Sequence, residues 1–292
     1  MTICDFFCKL LRRPRNCNTR FHFVVDRILR TSPCICGSGL RFKACCGAQD
    51  PPHWNSRAVG KMQGSLWDAA FTQLVANQPI CKLDDLSLPP GIMAVRIEDR
   101  LPWKQIVNGL LRDAVDSPAT VTLADGTRSR DRQRETGILQ LENDHQRLLA
   151  ELTRRAYKEF VEPFFNRHIR WYEKPQILRY RPGGYYAPHS DADFYNKGSG
   201  NWQKVLDRDL SMLLYLDDGY QGGELIFPNF NFRLRPEAGL LVAFPSDHRY
   251  LHGAMPLVKG IRHVLVGWSS IAGQERVSAE VPDGAIMTDV GP

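Results

Sequence analysis

The chain has 292 residues, 43% of them hydrophobic and 24% charged, enough for one large globular domain with a small appendage. No apolar run is long enough to span a bilayer, which excludes a helical membrane protein. The net charge of +6 is concentrated at one end: residues 1–48 hold nine Lys/Arg against Asp5 and Asp26, and the remainder sits near −1. That asymmetry has two readings, a segment that meets something acidic such as RNA, a ribosome surface or an acidic protein, and a solvated basic tail. The start "MTICDFFCKLLRRPRNCNTRF" has its arginines after a short apolar stretch, the reverse of a signal peptide, so none is expected; an Arg-rich, acid-poor start also mimics an organelle transit peptide. None of the eight cysteines lies after Cys81, so a disulfide framework is not expected and a reducing, cytoplasmic compartment is.

Four cysteines fall in "PCICGSGLRFKACCG": Cys34, Cys36, Cys45 and Cys46. Two close pairs flanking a short linker offer four thiolates to one zinc ion, Gly37, Ser38 and Gly39 allow a tight turn of amides toward sulfur, and Arg41 and Lys43 offset the net negative charge. Cys4 and Cys8 could share a metal, but no second pair follows at a suitable distance. The alternative is a chance cluster of thiols. The pattern resembles the SEC-C motif, a small zinc-binding module at the end of the SecA translocase, over about residues 32–47. The resemblance implies docking to a protein or ribosomal partner rather than catalysis.

"AQDPPHWNSRAVGKMQGS" reads as a linker, with a helix expected from about Ser65 to Asn77. "IMAVRIEDRLP" reads as a strand, "PWKQIVNGLLRDAV" as a helix opened by Pro102, and "ADGTRSRDRQRETG" as a loop. A long helix is expected from about Glu142, with Leu148, Leu149, Leu152, Ala156 and Phe160 at helical spacing and Pro163 kinking or ending it before Arg167. The period then changes. "PQILRYRPG", "LSMLLYLDD", "GGELIFP", "NFRLRPE", "GLLVAFP" and "RHVLVGWSS" are short, rich in β-branched and aromatic residues, and punctuated by Gly, Pro and Asp. Strands after a helical layer predict an α+β protein: a double-stranded β-helix, the jelly-roll or cupin-like barrel, with a helical supporting layer and a small zinc module before it. Such a barrel has an open mouth for a metal and a small molecule.

The stretch "YRPGGYYAPHSDADF" carries His189 and Asp191, which share one face of an extended chain. They can be adjacent metal ligands or an ordinary surface pair, and one such pair is expected by chance. A second histidine, His252, lies in "SDHRYLHGAMPLVKGIRHVLVGWSS", followed ten positions later by Arg262 at the start of an apolar strand. A buried arginine needs a counter-ion, and its fork suits a carboxylate. Two histidines and a carboxylate make the facial triad of non-haem Fe(II) oxygenases, with positions left open for a 2-oxo acid and dioxygen.

From about Met93 to Ser270 the chain resembles the Fe(II)/2-oxoglutarate-dependent dioxygenases, most closely their prolyl 4-hydroxylase branch. The matching stretches are "YRPGGYYAPHSDADF", "LLYLDDGYQGGELIFP" and "HGAMPLVKGIRHVLVGW". The resemblance implies that His189, Asp191 and His252 bind iron, that Arg262 binds the far carboxylate of 2-oxoglutarate, and that Tyr180 and Tyr215 hydrogen-bond the cosubstrate. It implies hydroxylation of a C–H bond, most plainly of a prolyl residue in a protein or peptide, with release of succinate and CO2. Fe(II), 2-oxoglutarate and dioxygen are the implied cofactors, with ascorbate as a further one and Zn(II) at the cysteine cluster. A carboxylate at Asp191 argues against halogenation, because halogenating relatives leave that position to chloride. Two rivals stay open: a hydroxylase of a free amino acid or small metabolite, and a non-catalytic binding module on the same barrel. The expected organisation is a basic segment over 1–31, the zinc motif over 32–48, linker and helix over 49–80, the dioxygenase domain over 81–271 and a tail over 272–292.

Neighbouring residues have plainer readings. Tyr180 and Tyr215 can be barrel packing, and Asp193 can replace Asp191, face substrate or be a solvated neighbour, the last being the commonest. His248 and His263 flank the triad histidine and are read as non-ligands, and His22, His53, His145 and His168 have no partner pattern. Trp268 is expected to wall the site, and Gly222 and Gly223 to serve the backbone. Residues 117–140 and 192–206, on the expected substrate side, match no pattern.

Overall fold

The computed structural model describes residues 88–97, 115–119, 134–196 and 198–288, with isolated positions 41, 107, 111, 121–122 and 128–129. Cys34, Cys36, Cys45 and Cys46, the expected helix over 65–77 and the basic segment 1–31 lie outside the described residues. Two antiparallel sheets face each other. The larger runs in the order 93–96, 240–245, 210–215, 262–271, 176–180, 137–139, 116–118, with Ile169–Tyr172 also pairing the long Arg262–Ile271 strand. The smaller runs 232–234, 225–227, 252–254, 185–189, 134–135.

Alternation along the strands decides what each face meets. Leu210, Met212, Leu214, Leu241, Ala243 and Leu265 pack in one buried cluster with the helix Asn143–Ala156. Their neighbours Leu213, Tyr215, Val242, Phe244, Val264 and Val266 point the other way, into a second cluster with Leu225, Phe227, Phe232 and Leu234 of the smaller sheet. The larger sheet is thus buried on both faces, which explains its nearly continuous apolar strands. Burial of each such side chain contributes about 1.5–3 kcal/mol. The helix turns Leu149, Leu152 and Ala156 inward, as its spacing predicts. It continues as a wider π turn over Tyr157–Val161 and a last α turn over Glu162–Phe165, ended by Asn166 at φ +50°. Pro163 cannot donate to residue 159 and would crowd its carbonyl, and the wider turn before it relieves that clash.

Two expectations change. Within the charged stretch read as a loop, Arg128–Ser129 pairs with Val121–Thr122, and Arg134–Glu135 pairs with Tyr186 and Tyr185 at the edge of the smaller sheet. The neighbouring strand's free edge supplies pairing that the polar sequence does not advertise. In the stretch read as a tail, Ile286–Met287 pairs with Trp171–Tyr172. Among the described residues no helix is long and apolar enough to cross a membrane.

Candidate active site

The strand Tyr185–His189 sets His189 opposite His252 of the strand His252–Ala254, with ring centroids 4.4 Å apart. The chain then bends rather than continuing as a strand. The Ser246 carbonyl accepts from the Asp191 and Ala192 amides and from Ser190 Oγ. Asp191 therefore reaches the histidines through a bend anchored on Ser246, not through the simple alternation expected of an extended chain. Its carboxylate oxygens lie 3.5 Å from His189 Nε2 and 3.4 Å from His252 Nε2. One ligand atom from each of the three residues falls within 4.8 Å of the others, and all three side chains are buried.

Backbone carbonyls decide which nitrogen each histidine presents. Ala187 O lies 2.8 Å from His189 Nδ1, and Tyr250 O lies 3.2 Å from His252 Nδ1. A carbonyl only accepts, so Nδ1 carries the proton and Nε2 offers its lone pair to the centre. Burial pushes the His252 imidazole down to about 4, against the opposing pull of Asp191, so it is neutral and ligand-ready at neutral pH. Burial alone would raise the Asp191 carboxyl, but His252 and His189 outweigh it and hold the group well below the usual carboxylate range. Ser211 Oγ donates to Asp191 Oδ2 at 2.6 Å and lies 2.8 Å from Ser246 Oγ.

Arg262 is only 2% exposed. Its guanidinium lies 3.9 Å from the Tyr180 ring centroid and 5.9 Å from that of Tyr215, and Nη1 donates to the Gly223 carbonyl. Gly222 and Gly223 both have positive φ, and a Cβ on Gly223 would sit 3.1 Å from Arg262 Nη1, so the turn serves the backbone as expected. Arg262 Nε is buried without a hydrogen-bond partner, and among the described residues no carboxylate lies within ion-pair distance of this cation. A buried guanidinium so placed is a strong attractor for an anion. Burial keeps the Tyr215 hydroxyl protonated and able to donate. One cleft is lined by the three triad residues, Arg262, Tyr180 and Tyr215, with Trp268 as a wall.

Asp193 is not a solvated neighbour. It is buried and accepts from His248 N at 2.9 Å and pairs with His248 Nδ1 at 2.6 Å, which occupies that ring nitrogen. Trp202 stacks on that imidazole at 5.1 Å and 8°. His263 is buried on the opposite strand face from Arg262, bonded to Asp217 and Arg179.

Four contributors escape the sequence reading. Ser211 is legible in hindsight, as the polar member of the inward set Ser211, Leu213, Tyr215. Tyr186 stacks on His189 at 3.6 Å, and the Arg134 guanidinium lies 4.6 Å from the Tyr186 ring centroid. Arg208 stacks on Trp268 at 4.0 Å, donates to the Asp191 carbonyl at 3.3 Å and is forked onto Glu173. No local signal marks Arg134 or Arg208, because their partners are distant in sequence; Tyr186 shares the strand of its partner His189.

The triad and the uncompensated arginine of one cleft lie in a region with known relatives. Residues 175–270 match the 2OG-Fe(II) oxygenase superfamily. Residues 30–48 match the SEC-C motif. The oxygenase region is 30% identical over 125 residues to a putative prolyl 4-hydroxylase of Acanthamoeba polyphaga mimivirus, covering 37% of this chain and 52% of that protein. It is 42% identical over 74 residues to human prolyl 3-hydroxylase 3, covering 24% of this chain and 10% of that protein. The chain thus spans about half or less of the length of these curated relatives. Among solved structures it is similar to a Trichoplax adhaerens prolyl hydroxylase in complex with a hypoxia inducible factor peptide fragment. That match has 18% identity and a TM-score of 0.47, and covers 74% of this chain and 90% of that one. Residues 175–270 are thus similar to 2OG-Fe(II) oxygenases, prolyl 4-hydroxylases among them, and residues 30–48 to the SEC-C motif.

Proposed function

We propose that the chain is an Fe(II)- and 2-oxoglutarate-dependent hydroxylase. The observation that carries this reading is the pairing, in one cleft, of two Nε2 lone pairs and a carboxylate with a buried arginine that has no carboxylate partner among the described residues. His189, Asp191 and His252 would hold the metal, and this donor set suits Fe(II) because imidazole and carboxylate together leave open positions on one side. Bound Fe(II) would supply oxidation of an unactivated C–H bond, with 2-oxoglutarate and dioxygen consumed and succinate and CO2 released. The chain's own part is placement. Ala187 and Tyr250 carbonyls fix the tautomers, Ser211 orients Asp191, Arg262 neutralises the cosubstrate's far carboxylate, and Tyr180 and Tyr215 wall it in. The apolar lining from Leu178, Leu213, Val264 and Val266 excludes water from that end.

A prolyl residue in a protein or peptide is the favoured substrate, supported by the prolyl hydroxylases among the relatives. The test is succinate release with Fe(II), compared between proline-containing peptides and free L-proline or related amino acids. Succinate from peptides supports the reading, and succinate from free amino acids alone replaces it with a metabolite hydroxylase. No metal binding and no turnover with any substrate would leave a binding module.

The four cysteines, Cys34, Cys36, Cys45 and Cys46, are proposed to hold Zn(II) as a closed docking module over 32–48, with the basic segment 1–31 meeting an acidic or ribosome-associated partner in the cytoplasm. A closed four-thiolate site has no open position for chemistry, and a module of this size has too little core to fold without its metal. The linker 49–80, oxygenase domain 81–271 and tail 272–292 complete the division, and ascorbate would act as an accessory reductant. A chain starting at Met62 is expected to lose one equivalent of zinc and keep cosubstrate turnover. Equal zinc in both chains, or a shortened chain that does not fold, would contradict a detachable module.

A further inference from the structure

Arg262 is the residue on which the cosubstrate reading depends, yet little holds its side chain. Its head has one carbonyl, that of Gly223, and the face of Tyr180. Its position therefore has to come from its backbone. On one side the strand is laddered, with Arg262 opposite Tyr180 and His263 opposite Arg179. On the other side the ladder to Leu210–Tyr215 ends at the pair Tyr215 and Val264, two residues short of Arg262.

Beyond that last pair a side chain takes over. Asp217 Oδ1 accepts from the His263 amide at 2.9 Å, Oδ2 accepts from His263 Nδ1, and the Leu216 amide donates to the His263 carbonyl at 3.1 Å. The other ring nitrogen, Nε2, lies 2.8 Å from Arg179 Nε. A guanidinium only donates, so Nε2 is the acceptor and the Nδ1 proton goes to Asp217. Arg179 is in turn held at 3.2 Å by Asp116, whose carboxyl the Arg181 hydrogen bond, with Arg179 beside it, keeps down at about 2.

The arrangement is systematic. The three residues facing the anion end of the cleft are Tyr180, Arg262 and Tyr215. Behind them, on the same three chain segments, stand Arg179, His263 and Asp217. A hydrogen-bonded row on the back of the sheet thus ties together the segments that carry the front row. We propose that His263, clamped between Asp217 and Arg179, is a positioning residue that sets where the Arg262 guanidinium meets the cosubstrate carboxylate. This rests on the reading of Arg262 as the 2-oxoglutarate anchor. His263 itself touches neither cosubstrate nor metal.

The test uses the full chain with Mn(II) in place of iron, and measures 2-oxoglutarate affinity and Mn(II) affinity separately. H263F is expected to weaken 2-oxoglutarate binding roughly tenfold, the effect of losing a hydrogen bond to a charged partner. Mn(II) affinity should stay within roughly twofold, because the triad stands on other elements. H263N, whose amide can still donate to Asp217, should recover part of the loss. D217N should weaken cosubstrate binding, and D217N/H263F should be little worse than H263F, since the two act as one unit. H263F with unchanged 2-oxoglutarate affinity overturns the inference, as do additive losses in the double variant or a parallel loss of metal and cosubstrate that marks general unfolding. A wild-type chain that binds metal but no 2-oxoglutarate overturns the Arg262 reading itself, and with it this role.

Discussion

The two ends of the cleft are built differently. At the metal end every group is spoken for: each histidine has its Nδ1 on a carbonyl, and Asp191 has Ser211, its own amide on Ser246, and two imidazoles beside it. At the anion end Arg262 keeps an unpartnered Nε and meets no carboxylate among the described residues. The metal end is organised before anything binds. In the proposed reading the anion end, whose charge no described carboxylate compensates, is completed by its ligand. Metal affinity should therefore depend on geometry, and cosubstrate affinity on charge.

The largest effect should come from breaking the organised end. D191A removes the one carboxylate of the proposed triad and should abolish turnover, by at least about a thousandfold, with the circular dichroism spectrum intact. A folded D191A chain that turns over normally would show that the triad is misassigned. R262A should leave metal affinity nearly unchanged and raise the 2-oxoglutarate requirement roughly a hundredfold, the size of a desolvated charge-assisted pair. If it loses metal and keeps cosubstrate affinity, the two ends have been exchanged. S211A leaves Asp191 Oδ2 without its donor, and should weaken Mn(II) binding by about tenfold while leaving 2-oxoglutarate affinity alone.

The smallest effect is on acid stability. Burial lowers His252 from 6.5 to about 4, so between those values the unfolded chain binds the extra proton and the folded chain does not. Stability of the metal-free protein is therefore full above the unfolded value and falls as pH drops from about 6.5 toward 4, by on the order of 1–3 kcal/mol. Urea midpoints at neutral and mildly acidic pH would read it. A midpoint unchanged across that range would mean His252 is not buried neutral.

How far the sequence reaches follows the same division. The His189–Asp191 spacing and the strands of the larger sheet were legible because each is local, a two-residue spacing or an apolar run with a turn at its end; His252, distant in sequence, was singled out with the Arg262-led apolar strand that follows it. The helix and its disruption at Pro163 were legible for the same reason. Less visible was how Asp191 gets to its place, since the bend depends on a carbonyl 55 residues away at Ser246. None of the three readings of Asp193 includes its pairing with His248, because that partner is equally distant. The Arg134–Glu135 strand hid in a charged stretch, because edge pairing needs a neighbour's free backbone and no hydrophobic pattern.

The most direct test is a titration of 2-oxoglutarate into the full chain with Fe(II) and a proline-containing peptide, following succinate and hydroxylated peptide together in wild type, D191A and R262A. The account predicts equal amounts of both products in wild type, none in D191A, and recovery of R262A only at greatly raised 2-oxoglutarate. Succinate that is independent of Asp191, or an R262A curve that overlays wild type, would contradict it.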